Sequence, residues 1–350
     1  AKRTLNITVT GEAMEKPSIV LLEPTDLYNM LQQATVYSNL SDHNYLLLID
    51  ARKKHEYNES HVVTAKKAPK DEEGFFVVPY DAELECKQNV VVYDSNTSKQ
   101  NEPGDADDCA SLLWETGSRN PVKILKGGYE EFSKLYPFLR TQKIMFMPRE
   151  MDELKPYPTE IIPGFLYLGN WRQGNAPYIQ KDLKIKGHIN CCVEAETLCD
   201  LCMCTVSTYL CHSHKKVHPL SPSCHKKVHP LSPSCHNFSE PGPHLLHLQV
   251  DDSNEADLYS HFQVACSFLD THMAAEEAVL VFSNLGISRS ATIVIAYIIY
   301  HNKWTLKEAY QHALKCCSSV RPNRGFIEQL SEWEAEVLGH KNTDISDPKF

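Results

Sequence analysis

The sequence predicts an α/β protein with two domains, each built around a parallel β-sheet. Its 350 residues are more than twice the length of a typical domain of about 150 residues. Short β-branched runs such as Asn89–Tyr93 (NVVVY) alternate with helical patterns in both halves. Between the halves, residues 143–157 and the adjacent Pro158 together contain three prolines, which favours a linker.

The composition excludes several classes of protein. Apolar residues make up 42% of the chain and charged residues 23%, which is typical of a soluble globular protein rather than a disordered one. Lys and Arg number 35 against 45 for Asp and Glu, so we do not expect nucleic acid as a direct partner. The apolar run Ala291–Tyr300 is too short for a membrane span. The first residues lack the pattern of a secretory signal, so we expect an intracellular protein, in the cytoplasm, with a mitochondrial location left open.

The first half contains one clear helical pattern and four short strand patterns. Apolar residues at helical spacing predict a helix over Thr25–Ala34, with Thr25 as its N-cap. Gly127 and Gly128 then allow a tight turn into a further helix. Short apolar runs predict strands over Leu46–Ile49, Val62–Ala65, Asn89–Tyr93 and Val122–Leu125.

Two segments of this half resemble a rhodanese-like domain of the kind that precedes the catalytic domain in MAP-kinase phosphatases. They are residues 46–62 (LLLIDARKKHEYNESHV) and 122–139 (VKILKGGYEEFSKLYPFL). The resemblance covers residues 22–142 and leaves 1–21 as an N-terminal extension. In an active rhodanese, the loop after the central strand holds a cysteine. Here the loop is Asp94–Ser98, which has no Cys and begins with an acidic residue, so we expect no sulfurtransferase activity.

A small basic cluster follows the second strand pattern and consists of Lys66, Lys67 and Lys70. In the MAP-kinase phosphatases that this region resembles, a basic cluster near this point docks the acidic groove of MAP kinases. The resemblance therefore implies kinase docking. Three acidic residues at 71–73 weaken the net field, which favours a solvated loop instead. Both interpretations stay open.

The second half contains further strand and helix patterns. Strands are predicted over His188–Val193, Leu245–Val250 and Ala278–Phe282. Helices are predicted over Leu258–Met273, Arg289–Tyr300, Leu306–Cys316 and Phe326–Leu338. The last helix carries an apolar stripe from Phe326 to Val337, which we interpret as core packing.

The most informative stretch of the chain is VLVFSNLGISRS, residues 279–290. A buried strand ends at Phe282, a short loop containing Gly286 follows, and a helix begins near Arg289. Such a loop can point backbone N–H groups inward at the positive end of a helix dipole, and Arg289 can add a bidentate clamp. The pattern predicts a cradle for a phosphate-sized anion. Its residues are Ser283, Asn284, Leu285, Gly286, Ile287, Ser288, Arg289 and Ser290.

This stretch resembles the dual-specificity form of the protein tyrosine phosphatase signature, His-Cys-x-x-Gly-x-x-Arg-Ser/Thr. Four flanking segments resemble the same family: 163–170 (PGFLYLGN), 250–253 (VDDS), 290–297 (SATIVIAY) and 321–330 (RPNRGFIEQL). The resemblance covers residues 158–340 and leaves 341–350 as a C-terminal tail. It implies a phosphatase-like α/β fold after the rhodanese-like domain.

Two positions depart from the signature. Ser283 replaces the nucleophilic Cys and Phe282 replaces the preceding His. The family's chemistry needs a thiolate, whereas a serine hydroxyl without a neighbouring base stays protonated. Asp252 matches the family's general acid, with Asp251 as the less favoured register, but an acid without a nucleophile gives no turnover. We therefore expect no intact catalytic site.

Together the departures resemble the serine/threonine/tyrosine-interacting-like pseudophosphatases, in which a rhodanese-like domain precedes an inactive phosphatase domain. That resemblance implies regulation of phospho-signalling by binding phosphoproteins, protein kinases such as MAP kinases, or active protein phosphatases. Two alternatives stay open. One is a weakly active phosphatase with a non-standard nucleophile, and the other is a scaffold that acts only through the rhodanese-like surface.

An unusual insert interrupts the second half. Residues 214–224 (HKKVHPLSPSC) recur unchanged as residues 225–235, and eight of the 13 cysteines lie from Cys191 to Cys235. So long a connection in a compact domain predicts a disordered insert near 197–243. The odd number of cysteines favours free thiols in a reducing compartment. Cys199 and Cys202 resemble half of a zinc site, but the other spacings do not fit, so we expect no metal and no cofactor.

Overall fold

The chain divides into two structural units, Ala1–Pro156 and Tyr157–Phe350. The computed structural model describes residues 19–34, 38–80, 82–100, 102–145, 147–193 and 244–346. The predicted insert near 197–243 lies outside the described residues. None of the helices in these ranges combines the length and apolar character that crossing a bilayer requires.

The elements of the first unit, in chain order, are β1 (Ile19–Leu22), α1 (Pro24–Gln32), β2 (Leu46–Asp50), α2 (Lys54–Glu59), β3 (His61–Val62), β4 (Lys66–Lys67), β5 (Asn89–Tyr93), α3 (Asp105–Glu115), β6 (Val122–Leu125), α4 (Gly128–Leu135), β7 (Arg140–Thr141) and α5 (Pro148–Asp152). Five of the strands form a parallel sheet in the order β1-β6-β5-β2-β4, and β3 and β7 form a two-stranded antiparallel ribbon.

The sheet of the first unit confirms the predicted parallel α/β class. The predicted strands at β2, β5 and β6 all form, because their β-branched and aliphatic residues are buried between helices. Strand β1 lies partly in the predicted N-terminal extension and pairs with β6. The short helix α5 lies inside the predicted linker.

Two local predictions in this unit were wrong. Helix α1 begins at Pro24 with Glu23 at the N-cap, because the fixed φ of proline suits the first helical position. The Thr25 hydroxyl instead lies 3.1 Å from the Tyr136 hydroxyl. The predicted strand Val62–Ala65 is broken by Thr64, which has a φ of 71°, and the chain joins the main sheet at β4 instead.

The elements of the second unit, in chain order, are β8 (Thr159–Ile162), β9 (Leu166–Asn170), α6 (Trp171–Gly174), α7 (Pro177–Asp182), β10 (Ile185–Asn190), β11 (Leu245–His247), α8 (Phe262–Ala274), β12 (Ala278–Ser283), α9 (Arg289–Asn302), α10 (Leu306–Cys316) and α11 (Arg324–Leu338). Its five described strands form a sheet in the order β11-β10-β12-β9-β8, in which all neighbouring strands are parallel except β8 and β9.

The predicted elements of this unit form with shifted ends. Strand β10 ends at Asn190 and β11 at His247, each three residues before its predicted end. A short 3₁₀ turn over Tyr259–His261 precedes α8. Helix α9 is buried along most of its length and packs against α8, α10 and α11, so it forms the centre of this core. The Trp333 indole on α11 donates to the Ala296 carbonyl at 3.0 Å, in agreement with a core role for that helix's stripe.

Glu334 is a fully buried carboxylate that ties the C-terminal helices together. It accepts hydrogen bonds from the backbone N–H of Leu306 at 2.9 Å and from the backbone N–H groups of Asn342 and Thr343 at 3.1 Å. The Thr343 hydroxyl also donates to it at 2.8 Å. The carboxylate therefore satisfies donors at the start of α10 and in the segment after α11.

We expect Glu334→Ala to lower the free energy of unfolding by roughly 3 kcal/mol, because it leaves several buried donors without their acceptor. Urea denaturation of the full chain measures the change. Glu332→Ala on the exposed side of the same helix is the matched control, with an expected effect within about 0.5 kcal/mol. Equal effects of the two substitutions would show that the buried carboxylate has no special structural role.

Candidate functional site

The candidate site is the loop of residues 283–290, which joins the end of β12 to the start of α9. Strand β12 is the middle strand of its sheet, and ligands of parallel α/β sheets bind beyond the carboxyl ends of such strands. Gly286 adopts a φ of 77°, and a Cβ there would lie 2.7 Å from the Gly169 carbonyl oxygen. Only glycine therefore fits this turn, as its place in the predicted cradle requires.

Backbone hydrogen bonds hold the loop on both sides. The Arg321 N–H donates to the Ile287 carbonyl at 2.7 Å, and the Trp171 N–H donates to the Asn284 carbonyl at 3.4 Å. Asn284 and Leu285 form the exposed tip, with 73% of Leu285 accessible. The loop thus has a fixed base and an open outer rim.

Ser283 occupies the base of the loop and is buried. Its Oγ lies 2.9 Å from the Ser290 Oγ and accepts a hydrogen bond from the Gly286 N–H at 3.3 Å. Neither partner is a base that could remove the hydroxyl proton, which a serine nucleophile requires. The environment is therefore suited to holding a hydroxyl rather than to activating it.

Phe282 fills the position next to this serine. Its buried ring lies against Gly174, where a Cβ would come within 2.6 Å of the ring, and it makes an edge contact with His188 at 6.3 Å between centroids. A phenyl ring supplies no hydrogen bond to the loop. The sequence departure at 282 thus replaces a polar group with an apolar packing contact.

Arg289 supplies a buried positive charge at the start of α9, with 6% of the residue exposed. Its Nη1 donates to the Val250 carbonyl at 2.9 Å, and its Nε lies 3.6 Å from the Asp252 Oδ2. The Nε has no hydrogen-bond partner among the described residues. A buried guanidinium donor without an acceptor is costly, and an anion in the cradle is the kind of ligand that would satisfy it.

Asp252 lies beside the loop, as its match to a general acid predicts. Its Oδ1 accepts hydrogen bonds from the Ser288 hydroxyl at 2.7 Å and from the Asn323 side-chain amide at 2.9 Å. Asn323 is also the N-cap of α11, since its Oδ1 accepts from the Phe326 N–H. The structure thus brings Asp252, Ser288 and Arg289 together and adds Asn323. Sequence reasoning missed Asn323, although an Asn directly before a helix was a usable signal.

A buried cysteine lies next to the degenerate site. The Cys191 N–H donates to the Phe282 carbonyl at 2.9 Å, and the residue is fully buried. Burial raises the pKa of the Cys191 thiol well above its usual range, against a smaller lowering by Arg289. Because the thiolate is the nucleophilic form, this cysteine is not a replacement for the missing one.

The loop after β5 in the first unit is closed by its own aspartate. The Asp94 carboxylate accepts from the backbone N–H groups of Asn96 at 3.1 Å and Thr97 at 2.9 Å, and from the Thr97 hydroxyl at 2.5 Å. A Cβ on Gly128 would lie 2.6 Å from the Asp94 carbonyl oxygen. Two backbone N–H groups of this loop thus already donate to the Asp94 carboxylate. The absence of sulfurtransferase activity stays a prediction.

The predicted kinase-docking lysines have internal contacts. Lys67 is half-buried and donates to the carbonyls of Asp50 and Ala68, and burial lowers its pKa. Lys70 pairs with Asp105 at 3.2 Å and lies over the Phe76 ring. Lys66 lies beside Lys67 in β4. Lys67 and Lys70 are therefore engaged within the domain, and kinase docking through the three lysines stays a prediction.

Two family models match segments of this chain, one in each half. Residues 166–336 match the model "Dual specificity phosphatase, catalytic domain", and residues 32–135 match the model "Rhodanese-like domain". The two matches follow the predicted order of domains. The phosphatase match, residues 166–336, contains the candidate site.

Curated relatives of this chain are named as phosphatases. The chain is 28% identical to human dual specificity protein phosphatase 16 over 327 residues, which are 87% of this chain and 43% of that protein. It is 27% identical to human dual specificity protein phosphatase 4, covering 71% of this chain and 59% of that protein. It is 37% identical to MAP kinase phosphatase with leucine-rich repeats protein 1 of Dictyostelium discoideum over 92 residues, which are 26% of this chain and 11% of that protein. The chain thus spans less than two thirds of each of these relatives.

Solved structures that match this chain include two human proteins. One is DUSP28, with 22% identity, a TM-score of 0.38, and coverage of 53% of this chain and 99% of that one. The other is a tyrosine phosphatase-like serine/threonine/tyrosine-interacting protein, with 24% identity, a TM-score of 0.37, and the same two coverages.

Proposed function

Because this chain joins a rhodanese-like domain to a dual-specificity-phosphatase-like domain, we propose that it is a pseudophosphatase. It binds a phosphorylated partner in the cradle of residues 283–290 and does not hydrolyse the phosphate. The observation that carries the proposal is the buried Arg289 guanidinium, whose Nε has no hydrogen-bond acceptor among the described residues. A phosphate oxygen in the cradle is the natural acceptor for it.

The lack of turnover follows from the groups around Ser283. The nearest described partners of its hydroxyl are another serine and a backbone N–H. Both can bind an oxygen, but neither can take up the proton that an attacking hydroxyl must lose. Phe282 contributes no polar group, and the thiol of Cys191 is buried in its neutral form.

The partners in this proposal are phosphoproteins, protein kinases, or active phosphatases that share a phosphoprotein with this chain. Several relatives are named as phosphatases, and one is named a MAP kinase phosphatase. A chain that retains the cradle without the nucleophile would compete for their phosphorylated substrates. MAP kinases are accordingly the first kinases to test.

The proposal predicts that phosphate binding depends on Arg289. We expect Arg289→Met to weaken binding of a phosphotyrosine or phosphothreonine peptide by about 10- to 100-fold, since hydrogen bonds to charged groups contribute about 1.5–3 kcal/mol. Methionine keeps a long unbranched side chain and removes the charge. Calorimetric titration of the full chain with phosphorylated and matched unphosphorylated peptides measures the effect.

Arg324→Ala is the matched control, because Arg324 begins α11 as Arg289 begins α9 but is exposed and pairs with Glu328. Binding should be unchanged in this control. Equal affinity of the wild type and Arg289→Met, with both folded, would reject the cradle and favour a scaffold that acts through the rhodanese-like surface. Turnover by the wild type that survives Ser283→Ala would instead identify another nucleophile.

A further inference from the structure

A second group of chemically active side chains lies in the phosphatase-like unit, separate from the residues of the cradle. It consists of His244, His272 and Glu277, and we call it the His/Glu cluster. One donor atom from each residue lies within 4.8 Å of the other two. His244 immediately precedes β11, His272 is in the last turn of α8, and Glu277 directly precedes β12.

The hydrogen bonding of His272 determines which ring nitrogen can bind a ligand. Its Nδ1 lies 3.0 Å from the Phe268 carbonyl oxygen, and a carbonyl can only accept, so Nδ1 carries the proton. Nε2 is therefore the ring nitrogen that can bind a ligand. It lies 3.8 Å from the Glu277 Oε2, so one metal ion can contact both atoms.

The backbone of β10 packs closely against the His272 ring. A Cβ on Gly187 would lie 2.9 Å from the His272 Nε2 and 3.0 Å from a Val279 methyl group, so glycine at 187 avoids placing a side chain against Nε2. The Glu277 N–H donates to the His272 carbonyl at 2.9 Å, which keeps the carboxylate next to the imidazole.

We infer that the His/Glu cluster is a binding site for a divalent transition metal, with Zn²⁺ as the ion that its donors fit. Two imidazoles and one carboxylate form a donor set that zinc uses in proteins, with a fourth position left for water. Donor atoms around a tetrahedral Zn²⁺ lie about 3.4 Å apart at ordinary zinc–ligand distances. The exposed side chain of His244 can close the remaining distance.

The site has a structural consequence for the edge of the sheet. Strand β11 is an edge strand of the sheet, and the His244 carbonyl accepts a hydrogen bond from the His188 N–H at 2.8 Å. A metal held by His244, His272 and Glu277 ties the start of this strand to α8 and to the start of β12. Metal binding therefore stabilises the fold at the point where the chain re-enters the sheet.

The test uses the full chain after removal of metal with a chelator, titrated with Co²⁺ as a spectroscopic substitute for Zn²⁺ and then with Zn²⁺. The chain contains 17 His and 13 Cys, so the spectrum must distinguish ligand types. Cobalt bound by histidine and carboxylate lacks the thiolate charge-transfer bands of cysteine sites. We expect one equivalent of cobalt without those bands, displaced by Zn²⁺, and a rise in melting temperature with Zn²⁺.

His244→Ala and Glu277→Gln should each lower the affinity for this cobalt ion by more than roughly 100-fold. Loss of a direct ligand should exceed the 10- to 100-fold effect of losing an outer-shell partner. His340→Ala and Glu276→Gln, which alter exposed residues of the same types, are the controls and should bind as the wild type does. The inference is overturned if the wild type binds no such equivalent, if all bound cobalt shows thiolate bands, or if the two cluster variants retain wild-type affinity.

Discussion

The combined substitutions Phe282→His and Ser283→Cys are expected to give this chain phosphatase activity toward an aryl phosphate, whereas we expect none from the wild type. The remaining parts of the family's machinery are present. Gly286 forms the turn, Arg289 is buried beside the loop, and Asp252 lies next to Ser288 at 2.7 Å. Only the nucleophile and the preceding histidine are missing.

The geometry at position 283 suits a thiolate. The Ser283 Oγ lies 2.9 Å from the Ser290 hydroxyl and 3.3 Å from the Gly286 nitrogen, close to the start of helix α9. A cysteine sulfur at this position would face the same two groups. Both groups can donate to a negative sulfur, and the helix terminus and Arg289 lower the pKa of a cysteine placed there. Histidine is smaller than the phenylalanine that packs on Gly174, so it fits the same space.

Two further variants make the result interpretable. Phe282→His with Ser283→Ala should stay inactive, and adding Asp252→Asn to the active double mutant should lower turnover of a phosphotyrosine peptide by about 10²- to 10⁴-fold. Steady-state release of inorganic phosphate measures all four proteins. A folded double mutant without activity would mean that the loop or Asp252 is not placed for catalysis, and that this chain departs from the phosphatase signature by more than the residues at 282 and 283.

Asp50→Ala is expected to cost about 3–5 kcal/mol of stability in the rhodanese-like domain, the usual range when one partner of a buried ion pair is removed. The Asp50 carboxylate is fully buried and accepts from the Arg52 guanidinium at 2.6 Å and from the Tyr93 hydroxyl at 2.9 Å. The Arg52 guanidinium also lies 3.7 Å from the Tyr129 ring centroid. Without Asp50, this buried cation loses its counter-ion.

Urea unfolding of the full chain measures the change in stability. Phosphopeptide binding, measured at the same urea concentrations, shows which domain binds the peptide. The rhodanese-like unit should unfold at lower urea while the cradle still binds phosphate. Lys126→Ala, which removes an exposed pair with Glu23, is the control and should cost less than about 1 kcal/mol. A loss under 1 kcal/mol for Asp50→Ala would contradict the assigned role of the network. Loss of peptide binding as that unit unfolds would place binding on the rhodanese-like side.

Much of the fold was predictable because its central strands are short, β-branched and buried on both faces. Asn89–Tyr93 and Ala278–Ser283 are two such strands, and the second leads directly into the cradle. The element ends were less predictable. Thr64 breaks a strand through a left-handed backbone conformation, and Pro24 rather than Thr25 begins a helix, because local turn geometry outweighs apolar pattern at such positions.

The sequence by itself determined the domain order, the loop at 283–290 and the two departures at Phe282 and Ser283, since these depend on residue type and spacing along the chain. Only the tertiary structure decided which side chains meet across long separations. It placed Asn323 on Asp252, left the buried Arg289 Nε without an acceptor among the described residues, and brought His244 to His272 and Glu277. The physical reason is that hydrogen bonds, burial and metal ligation depend on distances in space, and those are set only when the strands and helices pack together.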